Sequence, residues 1–360
     1  LAQREGEKLL AETGADLIIG TQARSQVVSL LARAEAEGRP LCAAGPLLPG
    51  MPFEKLAITR VHEHTRASVK IQEGCDRFCS YCVIPHARGP VRSRPVASIV
   101  EEAKQLRDLG YKEIVLTGIN TALYGTEQDS SQPSGVHNVI EAMSVLPGDF
   151  RIRLGSMEPT VINADYVRRL FDYDRLCHHL HLSVQSGSDK IIKAINRRYT
   201  RQEYLDIVAS LRQFEPDDGI TTDIITGFPG ETEEDFQDSL TLVRRAAYLK
   251  VHGFPYSKRL YTPAAHMPDQ IAPPVKKERN RRLIALAEQV SEDLRAGLKG
   301  KTLRVLAEEQ VQIGENTYWK GHASNFTPVY FPSDESDMAN RFVDIIAEDP
   351  VLDGVFGRKE

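Results

Sequence analysis

Residues 73–85 read EGCDRFCSYCVIP, a run that follows a short apolar segment with strand character, VKIQ. Its cysteines Cys75, Cys79 and Cys82 have the spacing C-x3-C-x2-C. Three soft thiolates in one loop suit an iron–sulfur cluster, and a four-iron cluster with three cysteine ligands keeps one iron open. A ligand with an amine and a carboxylate, such as S-adenosylmethionine, could chelate that iron, and the Tyr81 ring could lie on its adenine. The spacing therefore predicts a radical-generating centre.

A structural zinc site is the alternative for the same loop. Zinc would need a fourth Cys or His, and His86, four residues after Cys82, could supply it. Structural zinc sites usually combine two separated ligand pairs, however, and this sequence contains no second pair. The cluster is therefore the favoured interpretation.

The composition is that of an ordinary globular protein. Of the 360 residues 41% are hydrophobic and 26% charged, and the formal net charge is −5. No apolar run approaches the roughly 18 residues of a transmembrane helix, and no signal peptide is visible. Five cysteines, three of them in one loop, do not resemble a secreted disulfide framework. We therefore expect a cytoplasmic protein without membrane attachment.

Strand and helix patterns alternate through the middle of the chain. The predicted strands are Val69–Gln72, Glu113–Thr117, Phe150–Leu154, His179–Val184, Gly219–Thr226 and Lys250–Phe254, and the predicted helices are Val96–Leu109, Asp189–Asn196, Arg201–Phe214 and Glu233–Tyr248. Repeated β–α units imply a parallel sheet with right-handed crossovers. About six units are visible, fewer than the eight of a closed barrel, so we expect a partly open barrel with ligands at the C-terminal strand ends.

The two ends of the chain have different patterns. The first 60 residues predict a helix, a strand, a second helix and a linker rich in glycine and proline, in which Cys42 has no assigned role. Pro274–Leu298 predicts one long helix. Short β patterns then predict a small β-barrel, with strands at Leu303–Ala307, Val311–Ile313, Thr317–Lys320, Thr327–Phe331 and Phe342–Ile346.

At the cysteine loop the chain resembles the radical S-adenosylmethionine (SAM) superfamily, and the longer run QEGCDRFCSYCVIPHARGPVRSRP is similar to its methylthiotransferases. Further blocks follow in the family's order: GYKEIVLTGIN, RIRLGSMEP, HLHLSVQSGSD, ITTDIITGFPGETEEDF and FPYSKRLYTPAA. The last domain, with KGHASNFTPVYF, resembles the TRAM β-barrel. The resemblance implies an α/β protein with an N-terminal α/β remnant (1–60), a partly open (βα)6 radical-SAM barrel (61–298) and an all-β TRAM domain (299–360).

The blocks ARGPVRSRP, LTGIN and EPT are most similar to the MtaB type of this family. The resemblance implies a methylthiotransferase that replaces the C2 hydrogen of N6-threonylcarbamoyladenosine with a methylthio group. Its partners would be the tRNA anticodon stem-loop and an electron donor such as flavodoxin or ferredoxin. Related branches act on isopentenyladenosine in tRNA or on an aspartate of a ribosomal protein, and both stay open. A non-catalytic RNA-binding protein with a structural zinc is the alternative from another class.

The resemblance also implies roles for individual residues. Cys75, Cys79 and Cys82 would ligate a 4Fe–4S cluster, and no other catalytic side chain is predicted. Polar or small residues near the strand ends would contact SAM: Tyr81, Gly118, Asn120, Ser156, Glu158, Gln185 and Asp223. A capping or sheet-end hydrogen bond is the alternative role for each of the polar ones.

Family members carry three further cysteines that hold a second 4Fe–4S cluster, which is thought to carry the sulfur. The last of these typically precedes a segment similar to LAQRE, with which this chain begins at Leu1. We therefore expect an N-terminally truncated chain that lacks these ligands and full methylthio transfer.

Local charge bears on the choice between RNA and protein as substrate. Residues 66–95 contain six basic residues against two acidic ones, and Arg88, Arg92 and Arg94 are the candidate RNA contacts. A solvated charged face is the alternative. From Lys299 onward, seven basic residues face eleven acidic ones, a balance that suits a basic protein partner better than RNA.

Aromatic residues and departures from the family pattern complete the prediction. Tyr318, Trp319, Phe326 and Tyr330 could stack on bases, although aromatic strand residues more often belong to a core. The chain has SVQSG where the family usually has LPLQSG. It also has Tyr261 where a glycine is usual, and we expect this tyrosine to narrow the substrate pocket.

Overall fold

A computed structural model describes residues 1–54, 65–127 and 135–360 of the chain. The N-terminal unit consists of helix α1 (Ala2–Thr13), strand β1 (Leu17–Ile19), helix α2 (Val27–Glu37) and strand β2 (Leu41–Ala43). Strands β1 and β2 pair in parallel, so part of the predicted linker is a strand. The prediction was wrong there because the glycines and prolines flank this short apolar run without interrupting it. The predicted boundary at residue 60 lies outside the described residues.

The central unit is built on parallel strands that neighbour one another in chain order. The first, β3 (Arg66–Lys70), leads into the cysteine loop with its short strands β4 (Gln72–Glu73) and β5 (Arg92–Ser93) and helix α3 (Ile84–Arg88). The sheet continues with β6 (Glu113–Thr117), β7 (Arg151–Leu154), β8 (His179–His181), β9 (Gly219–Thr226) and β10 (Lys250–Pro255). Parallel bridges from Ile152 to Leu176 and from Met157 to Leu182 join the two halves of the sheet. The predicted α/β class is confirmed.

Helices connect the strands and bury their apolar faces against the sheet. They are α4 (Val96–Asp108), α5 (Val136–Ser144), α6 (Ala164–Leu170), α7 (Asp189–Ala194), α8 (Arg201–Phe214) and α9 (Glu233–Ala246). Capping boxes begin two of them: Thr200 with Glu203 at α8, and Thr232 with Asp235 at α9. Since all the strands point the same way, the loops that follow them meet at one edge.

A long helix and a closed five-stranded barrel end the chain. These are α10 (Pro273–Ala296) and β11 (Thr302–Ile313), β12 (Asn316–Ala323), β13 (Pro328–Phe331), β14 (Phe342–Val351) and β15 (Gly354–Lys359). The predicted C-terminal β-barrel is confirmed. Two of its predicted strands are one strand, β11, with a bulge between Ala307 and Glu309, and β15 was not predicted. Among the described helices, none has the length and apolar character needed to cross a membrane.

Polar side chains on the buried face of α10 tie the central unit to the barrel. The Ser291 hydroxyl donates to the carbonyl oxygen of Leu249 at 2.6 Å. Arg295 Nη1 donates to the carbonyl oxygens of Leu352 at 2.8 Å and Gly354 at 3.1 Å. The sequence predicts an apolar stripe here, but these hydrogen bonds let polar residues lie in it.

A buried ion cluster joins the N-terminal strand ends to the barrel. Glu113, fully buried at the start of β6, accepts from Arg151 Nε at 2.6 Å and from Arg153 Nε at 2.8 Å. Arg66 Nε lies 3.4 Å from the same carboxylate. The guanidinium of Arg151 also donates to the carbonyl oxygen of His322 at 2.9 Å, so the cluster spans both units.

The barrel segment 323–327 closes the N-terminal end of the central sheet. The Phe326 ring lies 4.7 Å from the His179 ring and 4.8 Å from the Arg153 guanidinium. A Cβ at Gly219 would come within 1.9 Å of the Asn325 carbonyl oxygen, so the two backbones touch there. Trp319 and Tyr330 are also buried. These three predicted base-stacking aromatics therefore have packing roles.

Candidate active site

The cysteine loop lies at the C-terminal end of β3, and its two ends are held together. Gly74 has φ 76°, and a Cβ there would lie 1.9 Å from the carbonyl oxygen of Pro90. The backbone N–H of Cys75 donates to the carbonyl oxygen of Gly89 at 3.0 Å. Only glycine fits at position 74, because a side chain would push the returning strand β5 away.

The far side of the loop is fixed to the end of α7. The backbone N–H of Ser80 donates to the carbonyl oxygen of Ile195, and its hydroxyl donates to that of Ala194, both at 2.8 Å. The Asn196 amide donates to the carbonyl oxygen of Phe78 at 3.0 Å. Cys79 packs below the loop in a small apolar cluster with Ile191, Ile195, Ile225, Phe228, Tyr256 and Ala264. The loop is thus preorganised by its neighbours.

The three thiols are free and poorly hydrated. Cys79 is buried, and Cys75 and Cys82 are half-buried. Burial raises the pKa of all three thiols, and the neighbouring thiols add to the effect. Soft metals bind the thiolate, so iron must displace protons here, and assembly is favoured as pH rises.

The donor set fits an iron–sulfur cluster better than a single metal ion. Across the parts of the chain that the structure describes, no three His, Cys, Asp or Glu side chains converge closely enough to hold one ion. His86, the candidate fourth zinc ligand, is exposed, with its ring beside that of Phe78. A cluster bonds each thiolate to a different iron, so the three sulfur atoms need not converge on one point.

A buried ion pair lies next to the loop. Arg197 Nη1 lies 3.1 Å from Glu158 Oε1, and Arg77 Nε lies 3.5 Å from Glu158 Oε2. Arg197 Nη2 donates a long hydrogen bond, 3.5 Å, to the Tyr81 hydroxyl. Arg197 thus connects a predicted cofactor residue to the cysteine loop. The sequence prediction missed it, although two successive arginines directly after a short amphipathic helix were a usable signal.

Replacing Arg197 with methionine should lower the free energy of unfolding by about 3 kcal/mol, because the buried Glu158 would lose the nearer of its two arginine partners. Urea unfolding measures this loss. Arg281→Met is the matched control, since Arg281 pairs with Glu278 on an exposed face and should change stability by less than about 1 kcal/mol. Equal losses in the two variants would contradict the role of Arg197.

The predicted residues after β6 and β7 form one connected layer. Asn120 is buried, and its Oδ1 accepts from the backbone N–H of Glu158 at 3.0 Å. Its own N–H donates to Gln72 Oε1 at 3.0 Å. A Cβ at Gly118 would come within 2.9 Å of the Gln72 side chain. Ser156, which follows β7, is exposed.

Gln185, after β8, and Asp223, within β9, line a cavity of about 320 Å³ together with Tyr81. Gln185 has φ 68° and bridges to β9, where its N–H donates to the Asp223 carbonyl oxygen at 2.8 Å. Although burial opposes ionisation, hydrogen bonds from His181 and Ser183 hold the pKa of Asp223 below its usual value. The cavity therefore presents an anionic carboxylate near the cysteines.

Two other cavities are larger. One of about 400 Å³ lies on the opposite side of Cys75, against the N-terminal unit. The other, about 580 Å³, lies between the central unit and the barrel and contains none of the predicted site residues. Because no residue of the cysteine loop lines it, this cavity is a poor candidate for the active site.

The structure does not bring the three candidate RNA arginines to a common surface. Arg94 is bound to Glu102 and the Ser98 carbonyl oxygen at the start of α4, and Arg92 is buried against the Arg88 carbonyl oxygen. Arg88 remains partly exposed, with Nη1 3.2 Å from Glu73. Arg88 and Arg94 thus have acidic partners and Arg92 is buried, so none of the three is an unpaired cation on the surface.

Comparison with known proteins agrees with this geometry. Residues 69–243 match the Radical SAM superfamily. The chain is 36% identical over 345 residues to the threonylcarbamoyladenosine tRNA methylthiotransferase MtaB of Bacillus subtilis (strain 168), covering 96% of this chain and 76% of that protein. It is 41% identical over 284 residues to a tRNA-2-methylthio-N(6)-dimethylallyladenosine synthase of Thermoanaerobacter sp. (strain X514), covering 79% of this chain and 59% of that protein.

Among solved structures, the radical SAM methyltransferase TsrM from Kitasatospora setae, with tryptophan and a SAM analogue bound, is similar in fold. The TM-score is 0.56 at 17% identity, over 73% of this chain and 56% of that one. Together with the free cysteine triplet at the C-terminal strand ends, these similarities show that the chain belongs to the radical SAM methylthiotransferase family.

Proposed function

We propose that this protein replaces the C2 hydrogen of N6-threonylcarbamoyladenosine, next to the tRNA anticodon, with a methylthio group. The observation that carries the proposal is the cysteine triplet beside a cavity that Tyr81, Gln185 and Asp223 line, in a chain that aligns with the B. subtilis MtaB over nearly its whole length. The chain spans about three quarters of MtaB and about three fifths of the Thermoanaerobacter synthase.

The cofactors of this family are 4Fe–4S clusters and SAM. Cys75, Cys79 and Cys82 are the residues that would hold the radical SAM cluster. When bound, these cofactors supply the radical chemistry that removes an unactivated hydrogen. Tyr81 and Asp223 line the adjoining cavity, where an aromatic face suits an adenine and a carboxylate suits an amine.

Other residues of the chain orient and shield the reactants. The exposed Ser156 hydroxyl is free to contact a ligand, and Asn120 holds Glu158 in place behind it. Gln185 reaches the cavity through its left-handed backbone. The apolar cluster beneath Cys79, which includes Phe228, excludes water from that side of the loop. A dry site of this kind limits the quenching of reactive species.

The remaining parts of the proposal extend to the whole protein. The C-terminal barrel would be a TRAM domain, an electron donor such as flavodoxin or ferredoxin would reduce the cluster, and the reaction would occur in the cytoplasm. A second cluster would carry the sulfur on cysteines outside this sequence, because the cysteines left here, Cys42 and Cys177, do not form a second triplet.

Mass spectrometry of tRNA nucleosides tests the proposed substrate. Deleting the gene should abolish the methylthio form of threonylcarbamoyladenosine, and the wild-type gene should restore it. Loss of the methylthio isopentenyl nucleoside instead would assign the other tRNA branch. Unchanged tRNA nucleosides, with a changed ribosomal-protein mass, would contradict the tRNA proposal.

A further inference from the structure

Segment 254–261 begins with the last two residues of strand β10. It exposes large apolar side chains at the mouth of the site. Exposed fractions are 53% for Phe254, 76% for Leu260 and 44% for Tyr261. Phe254 and Arg259 also line the cavity that contains Tyr81 and Asp223. The exposed apolar surface is therefore continuous with the site, where an incoming substrate must pass.

Tyr261 has an unfavourable backbone conformation. Its φ is 69°, in the left-handed region that bulky side chains rarely adopt. The Arg4 guanidinium, from helix α1, lies 4.1 Å from the centre of the Tyr261 ring. This contact occupies one face of the ring, and Tyr261 as a whole remains 44% exposed. Backbone strain of this kind is concentrated at ligand-binding positions, and here it holds an aromatic ring at the mouth.

The cations near this ring lack acidic partners. Lys258 and Arg259 are exposed, and neither forms an ion pair with any residue in the described parts of the chain. Around the cysteine loop, by contrast, Arg24, Lys70 and Arg88 share the buried carboxylate of Glu73. Segment 254–261 thus adds two exposed cations that have no acidic partner among the described residues.

We propose that Arg4, Phe254, Lys258, Arg259 and Tyr261 form a rim that binds a single-stranded RNA loop. The free face of Tyr261 stacks on a base, and Lys258 and Arg259 contact phosphates. Aromatic faces beside unpaired cations are the combination by which proteins hold unstacked RNA bases. A basic protein partner would be repelled by the same cations. The inference rests on the proposed function and names the surface that presents the substrate nucleotide to the cavity.

Binding of a fluorescently labelled anticodon stem-loop to the full chain, measured by anisotropy at several salt concentrations, tests the phosphate contacts. The double variant Lys258→Ala/Arg259→Ala should raise Kd about tenfold. The slope of log affinity against log salt concentration should become less steep by about 1.4, because each lost phosphate contact reduces it by about 0.7. Lys299→Ala/Arg341→Ala is the matched control: it removes two exposed, acid-paired cations on the barrel and should leave Kd within about twofold.

The stacking contact is tested in the same assay. Tyr261→Leu should raise Kd about tenfold, whereas Tyr261→Phe, which keeps the ring, should stay within about twofold of wild type. A rim that serves a protein partner would leave the RNA affinity of all these variants unchanged, and that result would overturn the inference. The tRNA nucleosides of the deletion strain test the proposed function independently. The RNA-binding rim and the proposed function can therefore be contradicted separately.

Discussion

Cys79→Ala is expected to abolish cluster assembly. After anaerobic reconstitution, iron and sulfide per chain should fall to the level of a protein without a cluster, since two remaining thiolates leave a second iron without a protein ligand. The complementing gene with this change should leave tRNA without the methylthio nucleoside. Among the three positions we choose Cys79 because it is the buried one. Its side chain packs against apolar residues that include Ile191 and Phe228.

Cys42→Ala is the matched control for this experiment. Cys42 is a free cysteine in strand β2 of the N-terminal unit, outside the loop. Its replacement should leave iron and sulfide content unchanged. A colourless protein that binds one zinc through the loop, in wild type and Cys42→Ala alike, would contradict the cluster.

Glu113→Gln is expected to lower the free energy of unfolding by about 3–5 kcal/mol. The substitution keeps the shape of the side chain but removes the carboxylate that Arg151 and Arg153 share, while Arg66 keeps its pair with Glu308. Because Arg151 and Arg153 also bind barrel carbonyl oxygens, the barrel should loosen from the central unit. Urea unfolding measures the free energy of unfolding. Protease susceptibility of the junction measures how far the barrel loosens from the central unit.

The pH dependence of this ion cluster follows from the same charges. Burial alone would raise the pKa of Glu113, but the three arginines hold it well below its usual value. The folded state therefore binds the proton more weakly than the unfolded state, so the stabilisation is complete above the ordinary glutamate pKa of about 4.3 and is lost as pH falls below it. Glu113→Gln should remove that acid sensitivity.

Glu101→Gln is the control for Glu113, because Glu101 is exposed and pairs with Lys104 at 4.0 Å. It should change the free energy of unfolding by less than about 1 kcal/mol. If Glu113→Gln and Glu101→Gln lower the free energy of unfolding equally, the buried ion cluster does not stabilise the junction between the central unit and the barrel.

Regular elements were predictable where local chemistry and burial agree. Strand β9 and helix α8 have the predicted bounds, because the β-branched residues of GITTDIIT and a Thr200 capping box are both local signals. Strand β15, with two glycines and two charged residues in GVFGRK, carries no such signal. It is a strand because β13 and β14 pair with it to close the barrel.

Site residues were likewise predictable only where their signal was local in the sequence. The cysteine triplet was identified from spacing alone, because its three ligands lie within eight residues of one another. Arg197 lies more than 100 residues from the cysteines and meets them only through the fold, and so was missed. Arg92 and Arg94 were predicted as RNA contacts from a charge count, which does not show that these arginines are held by Arg88 and Glu102.

By itself the sequence determined the α/β class, the cysteine loop and its chemistry, because these depend on residue type and short spacing. Only the tertiary structure decided which charges stay free. Burial pairs Glu113 and Glu158 with cations that are distant in the sequence, whereas Lys258, Arg259 and the Tyr261 ring remain exposed near the site. The physical reason is that a buried charge must find a partner wherever the fold brings one, and that partner is rarely a neighbour in the chain.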